Sequence, residues 1–292
     1  MKRCAALVVL LVLAGCVAVP SLAQRRAHAD ALAASAGWRR EMIATDPFTL
    51  AAYVPATRRR AATLTVYLEG DGLAWIDPST PSADPTPTDP LALRLALRDP
   101  SAAAYLARPC QFVGPGERRA CSAKYWTSHR FAPEVIRATS QAVDRLKQRF
   151  NARRVILVGY SGGGAVAALV AAGRRDVSRL ITVAGDLETR VWTQEHEASP
   201  LTGSLNPADA WRELRDIPQT HFVGGKDDVV GEAVARAYAA RFRTGPAPEI
   251  VVLAGFDHHC CWEEAWPALR ARTGPGEARR VRHDSGPRPP RN

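Results

Sequence analysis

Apolar positions along the chain fall into short runs of strand length, separated by stretches with helical spacing. Residues 48–54 and 64–68 are two such runs divided by Pro55 and a basic turn, a pattern that predicts a hairpin leading into a sheet. Residues 91–97 have helical spacing, 102–106 read as a buried strand, and 133–150 form an amphipathic helix with Pro133 in its first turn. The run Val155-Ile156-Leu157-Val158 is what a parallel strand covered on both faces requires, and the Ala-rich residues 165–172 after it favour helix. Further strands are predicted at 180–183, 221–223 and 250–253, with helices at 209–214 and 232–242. Strand alternating with helix specifies an α/β fold, a mostly parallel central sheet with helices on both faces. Its 292 residues suit one such domain, expected over residues 46–272.

Both ends depart from this pattern. Met1-Lys2-Arg3 followed by apolar residues 5–14, too short to span a bilayer, reads as a signal peptide over residues 1–23. Leu13-Ala14-Gly15-Cys16 resembles the bacterial lipobox, in which Cys16 is acylated and the lipid holds the protein to a membrane on the periplasmic side. Ser21-Leu22-Ala23 also fits the small-x-small rule for ordinary cleavage, which would leave a soluble secreted product. Residues 24–45 lack a clean period and are expected to be a tether with some helix, and residues 273–292, rich in Arg, Gly and Pro, a disordered tail.

Composition adds the compartment. Cys4 leaves with the leader and Cys16 would carry the lipid, so the mature fold keeps Cys110, Cys121, Cys260 and Cys261, an even number suited to an oxidising environment. Cys110 with Cys121 closes a short loop and is the favoured disulfide, leaving Cys260 and Cys261 as a vicinal bridge or as free thiols. The net charge of +10 is spread over scattered arginines with no aromatic-interleaved basic motif, so no nucleic-acid partner is expected.

Chemistry concentrates after the central strand. Gly159-Tyr160-Ser161-Gly162-Gly163 matches the G-x-S-x-G nucleophile elbow, where a tight strand-to-helix turn exposes a serine and demands small neighbours. A buried strand before it and an Ala-rich helix after it give the motif its weight. The Gly162 N–H then sits at a helix N-terminus, where a developing oxyanion can use it. In the α/β-hydrolase arrangement the acid and histidine follow at later strand ends. Asp227, in the turn after residues 221–223, is the chosen acid because it fits G-x-x-D-x-V-V; Asp228 is its neighbour and Asp186 the outside alternative. His258 follows the short Gly255-Phe256-Asp257 loop and is the chosen base, with His259 as solvent-facing support. Asp257, His258, His259, Cys260 and Cys261 together resemble a metal-ligand cluster, but consecutive residues rarely converge on one ion, so no metal is assigned. Glu69-Gly70-Asp71-Gly72 ends the strand at 64–68, and its glycines let the N–H of Asp71 or Gly72 serve as second oxyanion donor, although acidic side chains there oppose a developing anion.

Several phrases resemble an exported bacterial α/β-hydrolase family without a defined substrate: Tyr67-Leu68-Glu69-Gly70-Asp71-Gly72, Arg108-Pro109-Cys110-Gln111, Tyr125-Trp126-Thr127, the elbow, Pro200-Leu201 with Gly203-Ser204-Leu205-Asn206-Pro207, and His258 with Cys260-Cys261-Trp262. The resemblance extends over residues 48–266 and implies the fold, a Ser161, Asp227, His258 triad and an oxyanion loop at residues 70–72. One departure is Ala184-Gly185-Asp186-Leu187-Glu188, where the family pattern is Ala-Gly-Asn-Leu-Asp.

These features specify a serine hydrolase that cleaves an ester or related acyl bond through an acyl-Ser161 intermediate and needs no cofactor. Its partners are a small-molecule or acyl substrate and, through the lipid, a membrane. The substrate loops are expected at residues 75–90 and 191–206. The rival readings are an amidase or peptidase acting on the cell envelope, a lipid-anchored binding protein on an inactive hydrolase scaffold, and a thiol or metal protein using Cys260 and Cys261.

Overall fold

The computed structural model describes residues 19–57 and 59–274. Helix α1 (Leu22–Ser35) opens the chain and leads into strands β1 (Trp38–Ala44), β2 (Thr49–Pro55) and β3 (Thr63–Leu68). A small ribbon of β4 (Trp75–Asp77) and β5 (Thr80–Pro81) precedes α2 (Leu91–Arg98) and β6 (Ala103–Leu106). Strand and helix then alternate through α3 (Pro133–Phe150), β7 (Arg154–Tyr160), α4 (Gly162–Ala172), β8 (Val177–Val183), α5 (Thr189–Glu195) and α6 (Trp211–Leu214). The series ends with β9 (Gln219–Gly224), α7 (Glu232–Ala239), β10 (Glu249–Leu253) and α8 (Trp262–Arg272).

Eight strands form one sheet in the order β1-β2-β6-β3-β7-β8-β9-β10. Pairing is parallel from β6 to β10, while β2 runs antiparallel to both β1 and β6. Alternation along the inner strands divides the core into two halves. Leu64, Val66, Leu68, Val155 and Leu157 face a layer containing Val135, Val143 and Leu146 of α3 and the apolar residues of α4. Tyr67, Val158 and Ile181 face the other side, against Leu93 and Leu95 of α2 and Trp262 and Trp266 of α8. The fold class is therefore the expected one.

Three expectations change. Residues 24–45 are not a tether: α1 buries Ala29 and Ala33 in the core, and β1 pairs with β2 along its whole length. The reason lies in polar contacts invisible to a hydrophobic period. Asp30 of α1 accepts hydrogen bonds from Tyr53 of β2 at 2.8 Å and Arg40 of β1 at 3.0 Å, and Arg25 is buried against Asp84. The folded domain thus begins well before residue 46. Second, β2 and β3 do not form a hairpin, because β6 lies between them and β1 is the hairpin partner of β2. Third, Thr273, placed in the tail, is buried and donates its N–H to Arg270 at the end of α8, a helix the apolar pattern did not reveal. Residues 1–18, with Cys16 and most of the leader, and residues 275–292, the rest of the tail, lie outside the described residues.

Candidate active site

Ser161 occupies the turn between β7 and α4 with φ 52° and ψ −127°, a conformation that costs a non-glycine residue roughly 1–3 kcal/mol and persists only where its surroundings enforce it. They do: Ser161 donates its N–H to Val183 at 3.0 Å, and its carbonyl accepts from Gly164 at 2.8 Å and Asp186 at 3.1 Å. The flanking glycines are required by close approach. A Cβ on Gly159 would lie 2.2 Å from the Gly163 carbonyl oxygen, and one on Gly163 would lie 2.4 Å from the carbonyl oxygens of Leu68 and Glu69.

The loops after β9 and β10 are stitched together by hydrogen bonds from Gly225 to Leu253 and from Lys226 to Phe256. Those bonds set Asp227 beside His258. The His258 Nδ1 stands 2.9 Å from Asp227 Oδ2 and 3.1 Å from Oδ1, and its Nε2 stands 3.1 Å from Ser161 Oγ. A carboxylate facing Nδ1 fixes the tautomer in which Nδ1 donates and Nε2 is free to accept the serine proton. Asp227 is itself held by the N–H groups of Val229 and Val230, which donate to Oδ1 at 2.9 and 2.8 Å. Neither alternative acid reaches the imidazole: Asp228 is exposed, and Asp186 hydrogen-bonds the elbow through its backbone.

His259 is exposed, as expected, with its Nδ1 3.2 Å from the Tyr160 hydroxyl. That hydroxyl also donates to the His258 carbonyl at 3.2 Å, and the Tyr160 ring lies against the His258 ring. Asp257 caps the next turn, accepting from the N–H groups of His259 and Cys260, which hold its carboxylate below the usual range. Cys260 and Cys261 are bonded to each other, and Cys110 is bonded to Cys121. Two sulfurs joined in a disulfide supply no thiolate to a metal.

The loop after β3 passes over the elbow, where a Cβ on Gly70 would sit 3.2 Å from the Ser161 Cβ. The N–H groups of Asp71 and Gly72 have no acceptor among the described residues, and Gly72 has φ +65°. Gly162 contributes the first N–H of α4, which the helix does not use for its own hydrogen bonds. The acidic side chains near these donors are dealt with individually. Asp71 is clamped by Arg108 at 3.0 Å and Arg130 at 2.7 Å, both arginines being buried. Glu69 is fully buried, accepts from the N–H of Gly70 at 3.0 Å, and is pushed up to about 7 by burial. Gln111 fastens the loop by donating to the Gly70 carbonyl at 2.9 Å while accepting from the Arg108 N–H at 3.0 Å.

A cavity of about 310 Å³ opens onto Ser161 and His258, walled by Trp75, Trp192, Val230, Arg130 and Asp186. Trp75 and Trp192 come from the two segments expected to line it. The arginine clamp and the Tyr160 contacts were not anticipated; the phrase Arg108-Pro109-Cys110-Gln111 was the only sequence sign of the former.

No family model matches the chain, and no curated protein matches its sequence. Solved structures do resemble it. An alpha-beta serine hydrolase homologue from Coxiella burnetii has a TM-score of 0.53 at 14% identity, over 80% of this chain and 94% of that one. An esterase of Pyrococcus furiosus gives 0.56 at 14% identity, over 80% and 89% of the two chains. Est1E from Butyrivibrio proteoclasticus gives 0.54 at 15% identity, over 80% and 96%. Identities this low speak for fold, and together with the strand order they show that this chain has the α/β-hydrolase fold.

Proposed function

We propose that the protein is a serine hydrolase that cleaves small carboxylic esters. The observation that carries this reading is the unbroken hydrogen-bonded series Ser161 Oγ, His258, Asp227, with contacts of 3.1 and 2.9 Å. In the proposed reaction Ser161 Oγ attacks the ester carbonyl carbon while His258 Nε2 takes its proton. The carbonyl oxygen, now anionic, is met by the N–H groups of Gly162 and of Asp71 or Gly72. The bond to the alcohol oxygen then breaks as His258 returns the proton to it. Water repeats the sequence on the acyl-serine, giving up a proton to His258 and leaving as part of the acid, and Ser161 recovers its hydrogen. Asp227 keeps the imidazole oriented and stabilises its charged form. None of these steps calls on a cofactor. A cavity of about 310 Å³, at the small end for ligand sites, supports a short substrate. Export and a membrane anchor through acylated Cys16 belong to the same proposal, supported by the Cys110–Cys121 disulfide, which suits an oxidising compartment.

Reaction of the purified protein with a fluorophosphonate probe tests the chemistry. Labelling is expected in the wild type and absent in Ser161→Ala and His258→Ala, with hydrolysis of 4-nitrophenyl butyrate falling about 10⁴-fold or more in both. A folded wild type that neither labels nor turns over would end the hydrolase reading.

A further inference from the structure

Asp186 is an acidic group on the cavity wall to which this mechanism gives no role. It is 3% exposed, yet neither carboxyl oxygen has a hydrogen-bond partner among the described residues, and Oδ1 is wholly buried. An unsatisfied buried carboxyl is costly, and proteins keep one where a ligand completes it. Burial raises it to about 7, with Arg130 opposing the rise and Asp71 and Glu188 adding to it. Arg130, on the same cavity wall, spends Nε on the Thr127 carbonyl and Nη1 on Asp71, while Nη2 has no acceptor among the described residues.

We infer that Asp186 and the open Nη2 of Arg130 together seat a hydroxyl group on the acyl part of the substrate, so that short hydroxy-acid esters are preferred over unsubstituted ones. The inference rests on the hydrolase reading above. A hydroxyl both donates and accepts, and so satisfies the two groups at once. An ammonium would be repelled by Arg130, and a carboxylate has no hydrogen to donate to Asp186. The acyl side follows from position. The leaving alcohol receives its proton from His258, whereas the charged groups near enough to act on Asp186 are Arg130, Asp71 and Glu188. The Asp186 N–H also donates to the Ser161 carbonyl at 3.1 Å, which fixes this residue beside the elbow that would carry the acyl group.

The test compares 4-nitrophenyl 3-hydroxybutyrate with 4-nitrophenyl butyrate on the wild type, with Ser161→Ala as the blank for spontaneous hydrolysis. A kcat/KM ratio of about tenfold or more in favour of the hydroxy ester is expected, the value of one hydrogen bond to a charged group. In Asp186→Ala the ratio should fall to about one, and in Asp186→Asn, which keeps an acceptor, to a value between. A general loss of fold or activity lowers both rates and leaves the ratio alone. Turnover of both esters by the wild type with a ratio at or below one overturns this inference and leaves the hydrolase standing; turnover of neither overturns both.

Discussion

Asp71 shows how a single side chain can be tolerated where its charge is unwelcome. Its carboxylate lies so close to the start of α4 that a Cβ on Gly162 would come within 2.3 Å of Oδ1. An isolated anion there would oppose the oxyanion that the neighbouring N–H groups are proposed to stabilise. Arg108 and Arg130 neutralise it, and Arg108 also donates to the Arg130 carbonyl, so the clamp is closed on itself. Removing Arg108 leaves Asp71 its Arg130 partner but takes away the hydrogen bonds to the Asp71 carboxylate and to the Arg130 carbonyl. Arg108→Met is therefore expected to destabilise the protein by about 1–3 kcal/mol in urea denaturation. The double variant Arg108→Met with Asp71→Asn should recover part of that loss, and an additive result would show that the two residues do not interact. At this scale the sequence was legible where motifs have fixed spacing: Ser161, Asp227 and His258 are where a single strand-end pattern puts them. Arg108 and Arg130 were not legible, because a buried arginine looks like a surface one until its partner is known.

Among the elements, α1 differs most from its sequence. Three features of its residues conceal a helix that is part of the fold: it is rich in Ala and Arg, it carries a buried arginine, and it puts only Ala29 and Ala33 fully into the core, with Leu32 half-buried against it. Its start is built with a capping box in which Ser21 accepts from the Gln24 N–H and the Gln24 side chain accepts from the Ser21 N–H. Processing after Ala23 would remove this cap and the first residues of the helix, whereas processing before Cys16 would leave both intact. Ser21→Ala is expected to cost about 1 kcal/mol, read as a lowered midpoint in thermal or urea unfolding. A chain beginning at Gln24 should lose at least as much relative to one beginning at Cys16; equal stability would mean that the cap contributes nothing. The regular strands β7 to β10 were legible because each is a short apolar run between turns, while the place of β6 between β2 and β3 is a matter of long-range pairing that no local pattern encodes.

For the molecule as a whole, buried titratable groups pull the response to pH in opposite directions. Glu69 and Asp186 are raised to about 7 by burial, so between their ordinary values and 7 the folded chain keeps protons that the unfolded chain has released. Their effect is that stability falls as pH rises through that window. His221, enclosed in β9 with its Nδ1 2.8 Å from Thr182 Oγ1, is lowered from 6.5 to about 3. Below 6.5 the unfolded chain takes up a proton that the buried imidazole refuses, so its effect is loss of stability on acidification down to about 3. Two carboxyls outweigh one imidazole in the shared range. The melting temperature at constant ionic strength is therefore expected to rise from about pH 8 to about pH 5, with the rise flattened in Glu69→Gln, and to fall only below about pH 4, where the unfolded carboxyls are protonated too and the His221 effect is left alone. A monotonic decline from pH 8 downward would contradict this balance.

Ser161, Asp227 and His258 follow β7, β9 and β10, and each strand aligns with neighbours distant in sequence. No local segment can bring any two of the three together, and parallel pairing between remote segments is intrinsically slow to form. The hydrogen-bonded series is thus a late product of folding, complete only when the loops after β9 and β10 have been stitched to one another. Reactivity at Ser161 would then appear after helix content and burial of the inner strands, and would mark the moment at which the last strand of the sheet is in place.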